Sequence, residues 1–265
     1  MSSTMRVIAR PIAIGVAAVF AMTATATAAT TIDELTELNL RAWAGETELL
    51  SEVYAPDGVH TATFYDRTNE YVGPDEIGRV AGLAGFGEIE LIGPVVEIPA
   101  ADGELRWASF SSFGGGSACL LHAVGGQIVR HDCILPETSA QSRAWVGLAD
   151  AETSAAIDEV QARLDGSWGT HATVESLSDV YAPDAVHSAR YLNRTWSYDG
   201  LEEIHRFASL GSGRITHLGE RVDFEAPEGE LAWVEVVGIA GGSVCLFGAV
   251  DGMITRHDCV LPIRG

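Results

Sequence analysis

The sequence predicts an α+β fold that consists of two copies of one domain. One observation is a long repeated segment, since residues 115–136 (GGSACLLHAVGGQIVRHDCILP) return as residues 241–262 (GGSVCLFGAVDGMITRHDCVLP). Shorter matches recur at offsets of 125 to 127 residues, including a Val-Tyr-Ala-Pro-Asp that begins at Val53 and again at Val180. A unit of about 105 residues is too long for a solenoid repeat and suits a small domain. The other observation is the order within each copy, where helical periodicity precedes short β-rich segments.

The elements of the first copy follow from local patterns in the sequence. Apolar residues at helical spacing predict a helix over residues 33–43, which Gly45 ends. A second short helix must stop before Pro56, and a third has Pro74 in its first turn. Strands separated by glycine and proline turns follow. The second and third helices are predicted over residues 48–54 and 74–83. The strands are predicted over residues 59–65, 89–98, 104–113, 117–124 and 127–135.

The chain is expected to begin with a signal peptide. Arg6 and Arg10 precede a short apolar run, and small residues near Ala26 and Ala28 offer cleavage sites. The run is too short to span a bilayer, so the mature protein is expected to be secreted. The predicted divisions are a signal peptide at 1–29, a first domain at 30–137, a linker at 138–154 and a second domain at 155–265.

Composition limits the partners of this protein. The 265 residues are 47% hydrophobic and 20% charged, which is typical of a folded soluble chain. The formal net charge is −21, and all 16 basic residues are arginine. Such a surface repels phosphate backbones and anionic lipids, so we expect neither nucleic acid nor a membrane surface as a partner. The sequence contains no P-loop and no dinucleotide fingerprint, and we expect no cofactor.

The order of the motifs resembles the NTF2-like superfamily, and its SnoaL-like branch most closely. A helix is followed by Tyr-Ala-Pro-Asp-x-Val-His, by a helix start with Glu-Ile, and by strands that end in Gly-x-Ile-x-x-His-Asp. The matching segments are 54–60, 73–77 and 126–132, with 181–187, 200–204 and 252–258 in the second copy. The resemblance implies that each domain is a cone, in which a curved antiparallel sheet wraps around helices and encloses an apolar pocket. It also implies that the two domains pack against each other as a pseudo-dimer.

The four cysteines are expected to be structural. Cys119 and Cys133 lie seven positions on either side of Gly126, and Cys245 and Cys259 flank Gly252 in the same way; a hairpin that turns at the glycine places each pair across neighbouring strands. In an exported protein we therefore predict a disulfide within each copy, with pairing between the copies as the competing possibility.

A zinc site is the alternative for the same hairpin. His131 and Cys133 share one face of a predicted strand opposite Cys119, and His60 is within reach of them. Two cysteines and two histidines suit zinc. Because no short Cys-x-x-Cys spacing is present and export favours oxidation, we predict no metal.

Four duplicated histidines are the candidate pocket residues. His60 shares a strand face with Ala62, and the resemblance implies that this face points into the pocket. A histidine there can act as an acid or base near neutral pH. The alternative is a core histidine that is satisfied by a backbone carbonyl or by Tyr54. Histidines without a counterpart, such as His217, are expected on the surface or in loops. The predicted pocket residues are Tyr54, His60, His131, Tyr181, His187 and His257, and the catalytic candidates are His60, His187, His131, His257 and Asp66.

Arg130 and Asp132 are expected to point away from the pocket. Because they recur as Arg256 and Asp258, we expect ion pairs that cross between the copies, with pairing inside each strand as the alternative.

The sequence departs from the catalytic members that it resembles. Ketosteroid-isomerase-like relatives place a carboxylate base where Ala62 and Ala189 stand in this chain. Polyketide-cyclase and dehydratase relatives use Asp with His, for which Asp66 and His60 are the local match. We therefore expect a protein that binds a small apolar molecule or serves as a scaffold, with no assignable reaction. The alternative is a SnoaL-like isomerase, dehydratase or cyclase that uses His60 or His187 as the acid–base.

Overall fold

A computed structural model describes residues 31–64, 67–84, 89–112, 116–135, 148–191, 194–210, 215–226, 229–238 and 242–261. The predicted signal peptide, most of the predicted linker and Asp66 lie outside these ranges. No helix within them is long and apolar enough to cross a membrane.

The N-terminal domain places three helices beside one sheet. The helices are α1 (Ile32–Ala44), α2 (Leu50–Val53), which follows a 3-10 turn at Thr47–Leu49, and α3 (Gly73–Ala84). The strands are β1 (Tyr54–Phe64), β2 (Arg67–Val72), β3 (Glu90–Leu91), β4 (Val96–Glu97), β5 (Glu104–Ser112), β6 (Ser117–Val124) and β7 (Gln127–Ile134). Their order is β2-β1-β7-β6-β5-β3, and β4 also pairs with β5.

The C-terminal domain repeats this arrangement. Its first helix begins inside the predicted linker, where the side chain of Asp150 accepts a hydrogen bond from the backbone N–H of Thr153 and caps the helix. The helices are α4 (Ala151–Ser167), α5 (Val174–Ser178) and α6 (Leu201–Ala208). The strands are β8 (Tyr181–Tyr191), β9 (Arg194–Asp199), β10 (Val222–Phe224), β11 (Glu230–Val237), β12 (Ser243–Val250) and β13 (Met253–Val260). Their order is β10-β11-β12-β13-β8-β9.

The sheets are mixed, whereas the sequence predicted antiparallel sheets. β1 lies parallel to β7, and β8 lies parallel to β13, because the chain completes the whole meander before its last strand returns beside the first. The first strand also begins at Tyr54 rather than at residue 59. A register shift between Tyr54 and Val59 accommodates Pro56, which cannot donate a hydrogen bond to a strand ladder.

A tight hairpin fixes the position of each disulfide. Gly125 and Gly126 join β6 to β7 with φ values of 61° and 84°, as the two central residues of a type I′ turn require. The resulting register places Cys119 directly opposite Cys133, with 4.1 Å between their Cα atoms, and the two are bonded. In the C-terminal domain, Cys245 is bonded to Cys259 in the same register. The predicted disulfide within each copy is confirmed, and pairing between copies is excluded.

Contacts also join the two sheets. Apolar residues on their outer faces form one shared core cluster, which includes Phe110 and Leu120 from the first sheet and Val234, Val236 and Leu246 from the second. Burial of this apolar surface stabilises the contact between the sheets.

Polar contacts also join the two domains. The hydroxyls of Thr68 and Thr195 lie 2.7 Å apart, and Thr195 follows Thr68 by 127 positions, so equivalent residues of the two copies meet. The guanidinium that reaches across to Asp132 is that of Arg190, whose Nε lies 3.1 Å from Asp132 Oδ1. Arg130 pairs with Asp132, and Arg256 pairs in the same way with Asp258, each within its own strand. An ion pair to Asp132 therefore crosses between the domains from Arg190, whose counterpart in the first copy is Thr63.

Candidate functional site

A cavity of about 300 Å³ opens on the concave side of the first sheet. We call it the apolar cavity. Its wall is largely formed by the side chains of Leu40, Trp43, Val80, Ile89 and Leu135, together with the Cys119–Cys133 disulfide. His60 and His131 are the titratable groups among the described residues that line it, and none of those residues carries a carboxylate.

His60 is held in one neutral form. It lies on β1 directly beside His131 of β7. Its Nδ1 donates a hydrogen bond to the backbone carbonyl of His131 at 3.1 Å, which leaves the lone pair on Nε2. Burial lowers the pKa of His60 to about 4, although the nearby charge of Asp132 partly opposes this. His60 is therefore a neutral hydrogen-bonding group at physiological pH.

His131 belongs to a buried hydrogen-bond network. Its Nδ1 makes a short hydrogen bond with the hydroxyl of Tyr54, to which Trp43 Nε1 also donates at 3.0 Å. The same hydroxyl lies 3.1 Å from Asn39 Oδ1. Burial and the neighbouring His60 lower the pKa of His131, and burial raises the pKa of Tyr54. The predicted pocket residues of this domain are therefore brought together as an uncharged polar cluster, in which Tyr54 holds the imidazole of His131.

The zinc alternative lacks a free thiolate. The possible ligand atoms of His60, His131 and Cys133 lie within 4.8 Å of one another, and His187, His257 and Cys259 form a second such set. Both cysteines are in disulfides, however, and a cysteine is an effective zinc ligand only as the free thiolate. The histidines therefore serve as hydrogen-bonding groups in the oxidised chain.

The C-terminal domain contains the matching cluster. Trp168 Nε1 donates to the hydroxyl of Tyr181 at 2.9 Å, and that hydroxyl lies 2.7 Å from His257 Nδ1. The ring centroids of His187 and His257 are 4.3 Å apart. Burial lowers the pKa of His187 to about 3 and also lowers the pKa of His257. The predicted residues Tyr181, His187 and His257 are thus brought together as their counterparts are.

Two phenylalanines distinguish the C-terminal cluster from the N-terminal one. Phe207 stands 127 positions after Val80, and its ring centroid is 4.9 Å from that of His187 and 4.5 Å from that of Tyr198. Phe247 stacks on His257 with 4.2 Å between the centroids, where the N-terminal domain has the smaller Leu121. The larger rings occupy space around the C-terminal histidines, whereas Val80 lines the apolar cavity of the N-terminal domain.

The structure also shows residues that the sequence interpretation missed. The exchange of Val80 for Phe207 is visible in the sequence only as a difference between the two copies, whereas the predicted site residues are ones that the copies share. His217 is exposed and lies in a loop, as expected, but its contact with the buried carboxylate of Glu235 was not predicted. Asp66, a predicted catalytic candidate, lies outside the described residues.

In each half of the chain the strands follow the same order, the first and last long strands are parallel, and the helices lie on the concave side, so the chain contains two copies of one α+β fold of the NTF2-like kind in tandem. No family model and no curated protein matches the sequence.

Solved structures are similar to one domain at a time. An NTF2-like protein of unknown function from Silicibacter pomeroyi DSS-3 is 12% identical with a TM-score of 0.34, and the match covers 38% of this chain and 89% of that one. A protein of the SnoaL-like family from Agrobacterium tumefaciens is 14% identical with a TM-score of 0.29, covering 38% and 94%. An NTF2-like protein of unknown function from Pseudomonas putida KT2440 is 18% identical with a TM-score of 0.31, covering 40% and 84%. At these identities the similarity concerns the fold alone.

Proposed function

We propose that this chain is an exported binding protein whose N-terminal domain holds a small apolar molecule in the apolar cavity. The observation that carries the proposal is the cavity itself, whose volume of about 300 Å³ matches the lower end of the range for small-molecule sites. Its wall is mainly apolar, with a few polar groups that can orient a ligand. The lone pair on His60 Nε2 is one such group, because it can accept a hydrogen bond from a hydroxyl or amide of the ligand.

The electrostatics of the cavity favour binding over acid–base catalysis. A general acid or base works best when its pKa lies near the operating pH. Burial instead keeps the pKa of His60 at about 4 and lowers that of His131. The described lining residues also offer no carboxylate as a partner for either imidazole. Two neutral histidines in an apolar wall suit recognition of an uncharged ligand.

In this proposal the C-terminal domain is a scaffold that packs on the first as a pseudo-dimer. Three observations support it: the shared apolar core between the sheets, the meeting of Thr68 with its counterpart Thr195, and the bond from Arg190 to Asp132. Export is supported by the two disulfides, which form and persist in oxidising compartments.

Calorimetric titration with naphthalene tests the binding proposal. The wild-type protein is expected to bind one naphthalene per chain, and Val80→Phe, which installs the residue of the C-terminal domain, is expected to weaken binding by at least about tenfold because it fills the cavity. Val250→Phe makes the same chemical change at a site that is 39% exposed and should leave binding unchanged. Equal naphthalene affinity in the wild type and in a folded Val80→Phe variant would contradict the proposal.

A further inference from the structure

A second cleft lies in the C-terminal domain between helix α4 and strand β11, and its lining is polar. It has a volume of about 410 Å³. We call it the acidic cleft and define it by its charged and amide side chains, which are Asp158, Gln161, Asp165, His217, Arg221 and Glu235.

Glu235 is the most unusual residue of the acidic cleft. It is only 1% exposed. It lies on the same face of β11 as Trp233 and Val237, whose side chains pack in the core on the concave side. Its counterpart in the N-terminal domain is Ser109, which lines the apolar cavity. The same position of the fold therefore carries a hydroxyl in one copy and a buried carboxylate in the other.

The carboxylate of Glu235 is only partly satisfied. Its Oε2 accepts a hydrogen bond from Gln161 Nε2 at 2.5 Å and lies 3.1 Å from His217 Nδ1. Its Oε1 is buried and has no hydrogen-bond partner among the described residues. An acceptor buried without a donor is unfavourable, so the fold maintains it at a free-energy cost.

The opposite end of the same imidazole meets a second carboxylate. His217 Nε2 lies 3.0 Å from Asp165 Oδ2, while Asp165 Oδ1 is also buried without a partner among the described residues. Asp165 stands where the N-terminal domain has Leu40. Two carboxylates in one cleft thus each retain an unused acceptor oxygen.

The remaining charges of the cleft do not satisfy these oxygens. The guanidinium of Arg221 forms ion pairs with Asp223 at 2.6 Å and with Asp158 at 2.8 Å, and it also donates to the side-chain oxygen of Gln161. The guanidinium of Arg221 therefore bonds to other acceptors. The cleft offers acceptors in excess of donors, within a chain whose formal net charge is −21.

We propose that the acidic cleft is a binding site for the ammonium group of a small primary amine, with Glu235 and Asp165 as the acceptors. A primary ammonium carries three donors and no acceptor, which complements the two unused oxygens. An acidic cleft in an acidic protein also concentrates cations. A metal ion fits less well, because it needs several ligand atoms that converge on one point. The sets of ligand atoms that do converge within 4.8 Å, among the described residues, are those of the buried His-His-Cys clusters.

The binding should depend on pH. Glu235 faces Gln161 and Asp165 on α4 and His217 and Arg221 on the loop before β10. Burial raises the pKa of Glu235 to about 7, with a further rise from Asp165, while His217 and Arg221 oppose it. Burial disfavours the charged form of His217, but Asp165 and Glu235 outweigh this and raise its pKa. Affinity for an amine should therefore rise from about pH 6 to about pH 8, as Glu235 ionises and His217 loses its proton.

Titration of the full chain with butylammonium, at an ionic strength of about 0.1 M, tests the proposal. The wild type is expected to bind butylammonium at least about tenfold more tightly than it binds 1-butanol, and Glu235→Gln is expected to weaken amine binding by at least about tenfold. Asp165→Asn should act in the same direction. Asp57→Asn makes an equal charge change at an exposed position of the other domain and should leave affinity unchanged.

The outcomes of this experiment are independent of the apolar cavity. Val80→Phe should weaken naphthalene binding and leave butylammonium binding unchanged, whereas Glu235→Gln should do the reverse. Naphthalene binding that persists in Glu235→Gln shows that the N-terminal domain of the variant is folded, and an unchanged far-UV circular dichroism spectrum shows that its C-terminal domain is folded as well. Equal butylammonium affinity in the wild type and in folded Glu235→Gln, or equal affinity for 1-butanol, would overturn the amine site.

Discussion

Acidification from about pH 7.5 to about pH 5.5 is expected to destabilise the folded protein, because four buried histidines stay neutral in it. They are His60, His131, His187 and His257, and burial lowers the pKa of each. In the unfolded chain, each takes up a proton as the pH falls through the ordinary value of about 6.5. The folded chain takes up these protons only at lower pH. The stability contributed by the neutral imidazoles is therefore complete above that value and is lost below it.

The magnitude follows from these pKa values. Between about pH 7.5 and about pH 5.5, protonation of one unfolded histidine favours unfolding by about 1.4 kcal/mol, so four of them lower the unfolding free energy by about 5 kcal/mol. Glu235 acts in the opposite direction. Its raised pKa of about 7 means that the folded chain binds its proton first, which adds about 2 kcal/mol of stability on acidification. His217, whose pKa is also raised, opposes the loss as well. The expected net loss is about 3 kcal/mol.

Urea denaturation at the two pH values measures this loss. Glu235→Gln removes the largest opposing contribution, so the variant should lose about 2 kcal/mol more than the wild type over the same interval. Asp57→Asn, an exposed change of equal charge, should behave like the wild type. Stability that stays constant or rises on acidification in Glu235→Gln would refute the assignment of the four histidines as buried and neutral.

Three further predictions concern packing and cross-links. Replacing Cys119 and Cys133 with alanine should lower the unfolding free energy by about 3 kcal/mol, and intact mass before and after reduction and alkylation should show two disulfides in the wild type. Arg190→Met should lower the unfolding free energy by about 3 kcal/mol in urea denaturation, because it removes a partner of the buried Asp132. Adding Asp132→Asn should recover part of that loss. No recovery would count against the pairing. Phe207→Val should lower the unfolding free energy by about 2 kcal/mol. It should also raise the calorimetric stoichiometry for naphthalene from one to two per chain. An unchanged stoichiometry would show that this phenylalanine does not fill the C-terminal cone.

The fold was largely predictable because its strongest constraints are local. A glycine turn with cysteines at equal distances on either side determines the register of the last two strands, and the repeat confirms the spacing independently. Strand β2 was missed because Arg67–Val72 is an edge strand with exposed or half-buried residues, so it lacks the apolar alternation by which strands are predicted. The parallel pairing of β1 with β7 was missed because it joins segments far apart in sequence.

The candidate site was predictable in its polar residues and not in its volume. Strand alternation identified His60 and His131, and the structure places both at the apolar cavity. Whether a cone is open depends on single side chains from several elements, such as Val80 in one copy and Phe207 in the other. Packing of that kind is a property of the assembled core, which periodicity does not report.

The acidic cleft was missed for a different reason. Glu235 aligns with Ser109, and His217 has no histidine counterpart in the first copy, so neither residue belongs to the repeated pattern that indicates the other site residues. The available signal was a glutamate at an inward position of an otherwise apolar strand, flanked by Trp233 and Val237. An ionisable residue in such a position is a marker of a functional site.

The central claim is that the N-terminal cone holds a ligand while phenylalanine fills the C-terminal one. Diffraction from crystals soaked with 1-bromonaphthalene tests it most directly, because the anomalous signal of bromine locates the bound molecule. The account predicts a bromine peak inside the apolar cavity, beside Val80 and His60, and no peak beside Phe207 and His187. A peak beside Phe207, or bromine bound only on the outer surface, would contradict it.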